Sequence, residues 1–199
     1  AKQIDVNLAP CVAARVNFVG ELGWELHHPI EYQNHIFDAL MSAGVEFGLK
    51  PFGIRAMDAM RLEKSYRMVG TEMSIEYAAL ESGLDRFVQL QKPDFIGRSG
   101  LLAWQEKGFA NSFVTLEVKD TTDRDVIGGN PIYKEGKLIG RATSGGYGFR
   151  IGKSLALAMV APDCTDIGTS LEIDILGDRF AAEIVEESPF DPANERLRV

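Results

Sequence analysis

Two glutamates and a tryptophan interrupt a strand-like alternation in the stretch from Asn17 to Leu26, NFVGELGWEL. Glu21 and Glu25 lie four residues apart, and Trp24 leaves an extended backbone on the face opposite Glu25. A carboxylate beside an aromatic ring suits a flat heterocycle with an N–C–N–H edge. The carboxylate accepts two parallel hydrogen bonds, and apolar side chains cover the ring faces. The plainer alternative is that both acids are solvated and Trp24 is core, since most charged residues are exposed. A second charged stretch, GIRAMDAMRLEKSYRMVG from Gly53 to Gly70, sets Arg55, Asp58, Arg61, Glu63, Lys64 and Arg67 on or just past one helix, with Tyr66 at its end. Asp58 and Arg61 read there as an i,i+3 pair on a solvated face, worth a few tenths of a kcal/mol.

Other candidates carry less chemistry. His27 and His28 are neighbours, so in a strand their rings leave on opposite faces and share no metal; no metal site is expected. His35 falls mid-helix, and Cys11 and Cys164 read as small hydrophobes. TSGGYG, Thr143 to Gly148, has the composition of a phosphate loop. No Lys-Ser/Thr opening a helix follows it, so it reads as a flexible β-turn. Neither a Ser-His-Asp nor a Cys-His arrangement can be assembled, and no catalytic residue is identified.

The whole chain narrows the classes. Its 199 residues carry a net charge of -8, and the 21 basic residues are dispersed, which argues against a nucleic-acid partner. No apolar run approaches the roughly 20 residues of a membrane span, so no membrane partner is expected. Two distant cysteines favour a reducing compartment, read here as the cytoplasm. The sequence has no GxGxxG and so offers no dinucleotide-binding signature.

The elements that must position these residues follow from periodicity. Val12, Ala14, Val16 and Phe18 alternate, and residues 12–27 read as a bent strand or strand pair with Gly20 and Gly23 at a turn. Apolar spacing predicts a helix from Glu31 to Ala43 stopped by Gly44. A second helix is predicted from Gly53 to Lys64, with Ile54, Ala56, Met57 and Met60 towards a core and Arg61 and Lys64 outside. Residues 77–90 read as a turn feeding a strand, and Ser99 to Lys107 as a short helix ended by Gly108. Beyond residue 110, short alternating segments with hairpin turns at Glu135-Gly136 and Gly177-Asp178 predict an antiparallel barrel or sandwich. The fold class is therefore α+β, with one domain over residues 1–108 and a β-barrel domain over 109–199.

Four stretches in this order, FVGELGWEL, GIRAMDAMRLEKSYRMVG, LESGLDRFVQLQKPDFIGRSGLL and GRATSGGYGFRIGKSLALAMV, resemble the tetrahydrofolate-binding aminomethyltransferase family. That family includes the glycine cleavage T-protein and the carboxy-terminal halves of dimethylglycine and sarcosine dehydrogenases, and the RLEKSYR and KPDFIGR wording is nearer the latter. The resemblance implies a partial folate-binding body followed by the carboxy-terminal barrel. It implies one-carbon transfer, in which an amine-derived methylene is captured by tetrahydrofolate. The partners it implies are folate, a small amine-derived donor and a preceding part of the same protein. That part would hold the family's essential aspartate, so the isolated chain is expected to be inactive. FAD would belong to a separate domain. By position, Glu25 matches the glutamate that accepts hydrogen bonds from the pterin, Phe18 stands where the family has Tyr, and Tyr66 matches an aromatic near the folate. Glu21 is the first glutamate of the motif. Arg55 lies two residues from Met57, the position of a family arginine, a separation of about 200° around a helix. Two other readings of the same body are a non-catalytic folate-binding or assembly module and a folate-dependent demethylase acting on a different methyl donor.

Overall fold

The computed structural model describes residues 1–121 and 123–198 and shows an α+β chain ending in a closed antiparallel barrel. Strands β1 (Lys2–Val6), β2 (Ala9–Ala14) and β3 (Glu25–His27) form an antiparallel sheet in which Val12 pairs with both Gln3 and His27. Of residues 12–27, expected as a bent strand or strand pair, only 12–14 and 25–27 are strand, with 15–24, Val16 and Phe18 included, forming the loop between them, and the faces of β2 are inverted. Ala9, Cys11 and Ala13 point inward, while Val12 is exposed. Helix α1 (Gln33–Ala43) is the reason: its Ile36 closes a small core with Ala9 and Cys11, against which Val6 and Leu26 pack. Gly44 ends α1 as expected.

Helix α2 (Ile54–Leu62) stops two residues short of the predicted end. Its predicted sides do not hold either: Ile54 and Ala56 are exposed and Met57 and Met60 half-buried, while Arg61 and Leu62 at its end, and Glu63 and Lys64 just past it, are buried. Residues 77–90 form turns and a single 3-10 turn rather than a strand. The Glu81 carboxylate organises them by accepting the N–H groups of Ala78, Ala110 and Asn111 at 2.9–3.1 Å. Helix α3 (Arg98–Lys107) ends at Gly108 as predicted.

The barrel closes in the order β4-β7-β6-β5-β8-β9, from β4 (Ser112–Val118), β5 (Pro131–Lys134), β6 (Lys137–Gly148), β7 (Lys153–Val160), β8 (Ser170–Ile175) and β9 (Asp178–Val185). Closure removes the exposed edges of an open sheet. The β5–β6 hairpin turns at Glu135 and Gly136, both at positive φ, as a two-residue turn of this twist demands. The β8–β9 turn is at Leu176 and Gly177, one residue earlier than expected. Leu116, Ile132, Ala156, Ala158, Val160 and Ile173 belong to the barrel core. The alternate residues of β7, Leu155, Leu157 and Met159, are buried as well. Helix α2 contacts both β6 and β7, so β7 is covered on two faces and reads as a continuous apolar run. TSGGYG is thus the end of a strand rather than a flexible turn. A Cβ at Gly146 would lie 3.3 Å from Leu62 and one at Gly148 2.9 Å from Glu63, so these glycines admit the end of α2.

Candidate functional site

Some of the residues singled out for chemistry, Phe18, Glu21, Arg61, Lys64, Tyr66 and Arg67 among them, meet where four segments converge: the loop from Asn17 to Glu21, the end of α2, the β6–β7 turn and the carboxy-terminal segment from Glu187. The sequence RLEKSYR continues past the helix, and six of its seven residues are buried. Buried charges are tolerated when paired and fully hydrogen-bonded, and each here has its partners. Arg61 donates to Asp58 at 2.7 Å, to the Tyr66 carbonyl at 3.0 Å, to Glu72 at 3.2 Å and to Ser144 Oγ at 2.7 Å. The expected Asp58–Arg61 pair is therefore real but is one bond among several. Glu72 also accepts from Met68 N, Thr71, Thr143 and Ser144. Burial disfavours its charge, yet these hydrogen bonds outweigh it and hold the carboxyl below its usual range.

Lys64 is 0% exposed. Its Nζ donates to the carbonyls of Phe190 (3.0 Å) and Asp191 (2.6 Å) and to Asn194 Oδ1 (2.8 Å), so three donors meet three acceptors. Burial pushes its pKa down, which the nearby Asp191 charge opposes. Arg67 holds the same carboxy-terminal segment through a two-pronged contact to Glu187 at 2.5 and 3.0 Å, with its guanidinium 3.8 Å over the Phe113 ring. Glu63 receives the backbone N–H and Nε of Arg150.

Around this buried frame lie the predicted ligand residues. Phe18 and Tyr66 are stacked, with ring centroids 6.2 Å apart and planes 25° from parallel. Burial raises the Tyr66 phenol pKa, with Arg86 opposing the shift. Glu25 stands on β3 with its side chain 54% exposed and one carboxylate oxygen 3.1 Å from His27 Nε2. Trp24 is 61% exposed, so it is not the core residue its apolar ring suggested. Glu21 makes ion pairs with Arg150 at 3.3 Å and Arg196 at 3.4 Å. Arg55 is exposed on the first turn of α2.

The fold thus brings Phe18 to Tyr66 and Glu21 to Arg150, while Glu25 and Arg55 face solvent from separate elements. Sequence reasoning missed Arg150, Lys64, Glu63 and Asp191 as parts of this frame. Two glycines carried a usable signal: a Cβ at Gly20 would lie 2.5 Å from Lys64 Cγ, and one at Gly148 would crowd Glu63. Chemically, the buried charges are consumed in holding one another. Of the predicted ligand residues, Glu25 and Arg55 are exposed, and Phe18 and Tyr66 are half-buried as a stacked pair. Among the described residues no group of His, Cys, Asp and Glu could hold a metal ion, and Cys11 and Cys164 are free and buried. No helix is long and apolar enough to cross a membrane.

Comparison with known proteins matches residues 1–92 to the GCVT N-terminal domain and residues 111–191 to the glycine cleavage T-protein C-terminal barrel domain. The chain is 40% identical over 200 residues to mitochondrial dimethylglycine dehydrogenase of Homo sapiens, covering 99% of the chain and 23% of that protein. It is 33% identical over 185 residues to an aminomethyltransferase of Desulfitobacterium hafniense, covering 92% of the chain and 50% of the relative. A crystal structure of the glycine cleavage system aminomethyltransferase T from Bartonella henselae superimposes with a TM-score of 0.81 at 22% identity. That match covers 90% of this chain and 50% of the other and speaks to the fold alone. The chain therefore spans half or less of each of these proteins.

Proposed function

The chain belongs to the glycine cleavage T-protein family of aminomethyltransferases, and from that premise we propose that it forms part of a tetrahydrofolate-dependent one-carbon transferase. Within the family we assign it to the carboxy-terminal region of a dimethylglycine- or sarcosine-dehydrogenase-like enzyme. The 40% identity over nearly the whole chain supports this assignment.

The single observation that carries the folate reading is the stacking of Phe18, on the loop that also leads to Glu25, against Tyr66 just past α2. We read these groups as suited to a pterin. Glu25 is an exposed carboxylate able to accept two parallel N–H bonds, and the ring pair offers an apolar wall for a flat heterocycle. When bound, tetrahydrofolate supplies the nitrogen nucleophile that takes up the one-carbon unit. The residues of this chain bind and orient it and exclude water from the transfer. Glu25 anchors the pterin edge, Phe18 and Tyr66 cover a face, and Glu21, held by two arginines, fixes the loop. Arg55, exposed at the start of α2, is the basic group we assign to the anionic end of the ligand.

We divide the chain into a folate-body part over 1–108 and a barrel over 109–199. Support comes from the end of α3 at Lys107 and the start of β4 at Ser112. Two free, buried thiols support a reducing compartment, read from the sequence as the cytoplasm. The human relative is named mitochondrial, and fractionation of source cells distinguishes the two.

Titration of the full-length protein with tetrahydrofolate, wild type against Glu25→Gln, tests the site. A hydrogen bond to a charged group contributes about 1.5–3 kcal/mol, so the variant is expected to bind roughly ten- to a hundredfold more weakly. Equal affinities remove Glu25 as the pterin anchor.

A further inference from the structure

Arg150, in the turn between β6 and β7, directs its guanidinium away from the barrel ladder. Nη1 donates to the Val19 carbonyl at 3.0 Å and to Glu21 at 3.3 Å, and Nη2 to the Met60 carbonyl at 2.9 Å. Nε meets Glu63, and the guanidinium lies 3.9 Å from the centre of the Phe190 ring. One side chain therefore joins the barrel to the Asn17–Glu21 loop, the end of α2 and the carboxy-terminal segment. Val19 directly follows Phe18.

The same loop is closed in by Lys64. Gly20 adopts φ +75°, where a Cβ would lie 2.5 Å from Lys64 Cγ, and its N–H donates to Asn17 Oδ1 at 3.1 Å. The backbone on either side of Val19 is thus gripped from Arg150 and abutted by a lysine stem that is itself tied to three carboxy-terminal acceptors. A planar fork can serve two carbonyls and two carboxylates at once, whereas an ammonium is a point charge.

We propose that Arg150 is a positioning residue for the folate pocket: by holding the Val19 carbonyl and Glu21 it sets where Phe18 meets Tyr66, so the barrel turn controls affinity at a ring pair that Arg150 is not part of. This rests on the folate reading above and extends it from Glu21 to the barrel turn that grips the Val19 carbonyl.

Calorimetric titration of the full-length protein with tetrahydrofolate, over wild type, Arg150→Lys, Phe18→Ala and the double variant, tests it. Arg150→Lys keeps the charge and a long stem beside Phe190 but loses the fork. Its Kd is expected to rise roughly tenfold, within the range of coupling between residues of one network, and by less than about twofold once Phe18 is Ala. Losses that simply multiply in the double variant, or an Arg150→Lys affinity equal to wild type, overturn the inference. So does an affinity loss that vanishes at a temperature where every variant is fully folded, because that identifies general loosening. If Arg150→Lys yields no folded protein, Glu21→Gln takes its place and must show the same dependence on Phe18; independence overturns the inference. Wild-type protein that binds no tetrahydrofolate removes the folate reading and this inference together. Wild-type binding with an unaffected Arg150→Lys variant removes this inference alone.

Discussion

Replacing Glu72 with Gln is expected to destabilise the protein by about 2–3 kcal/mol near neutral pH, with the barrel intact. Glu72 is fully buried and accepts from five groups. A glutamine must turn its carbonyl oxygen towards Arg61, Met68 N and Thr71, since Arg61 and the backbone N–H can only donate. Its NH2 then faces Thr143 and Ser144. Thr143 adjusts, because its hydroxyl already lies 3.0 Å from the Leu157 carbonyl and can donate there. Ser144 accepts from Arg61 and loses its own acceptor. The Met68 bond drops from charge-assisted to neutral and the Arg61 bond loses its ionic acceptor, a loss of about 1 kcal/mol apiece, and the stranded Ser144 proton adds roughly another. Arg61 keeps Asp58, which holds the cost below that of a wholly unpaired buried charge. For a protein of this size the shift in Tm is about 5–10 °C.

The pH dependence separates this account from simple loss of packing. The folded-state pKa of Glu72 lies below its ordinary value of 4.5, so the carboxylate's contribution is complete above that value. It drains away as pH falls through the depressed folded-state value. Urea unfolding of wild type and Glu72→Gln between pH 7 and pH 3 should therefore show a stability gap that narrows on the acid side. A gap under about 0.5 kcal/mol at pH 7, or one that stays constant down to pH 3, would refute the reasoning.

Lys64→Met should free the carboxy-terminal segment, because the carbonyls of Phe190 and Asp191 lose a buried donor. A loss of about 2–4 kcal/mol and faster proteolytic cleavage between residues 188 and 198 are expected, and unchanged cleavage would count against the anchoring role. On the proposed reading, the 199-residue chain expressed alone should show no folate-dependent one-carbon transfer, measured as donor-dependent formation of the folate product; turnover by the chain alone would place the reacting machinery within it.

The sequence by itself determined the short antiparallel strands after residue 110 and the helices that precede them, while their closure into a barrel rather than a sandwich belongs to the tertiary structure. Alternation in SFVTLEV and LEIDILGDRFAAEIV sets a core face and a solvent face within each strand, and positive-φ turns such as Glu135-Gly136 bring neighbours into register. These signals are local, so they survive in one dimension. NFVGELGWEL likewise announced unusual acids, though in what read as a strand, and its order among the other motifs pointed to the family. What the sequence could not decide was which charges are buried. RLEKSYR has the composition of a solvated face, and helical spacing put Arg61 and Lys64 outside. Their partners are Ser144, Phe190, Asp191 and Asn194, between 83 and 130 residues further along the chain. The same holds for β2, where Ile36 of α1 chose the face carrying Cys11 over the one carrying Val12. Burial of a charge depends on acceptors that arrive through tertiary contact. Only the closed barrel and the returning carboxy-terminal segment make the interior of this junction tolerable for Arg61, Glu63, Lys64 and Glu72.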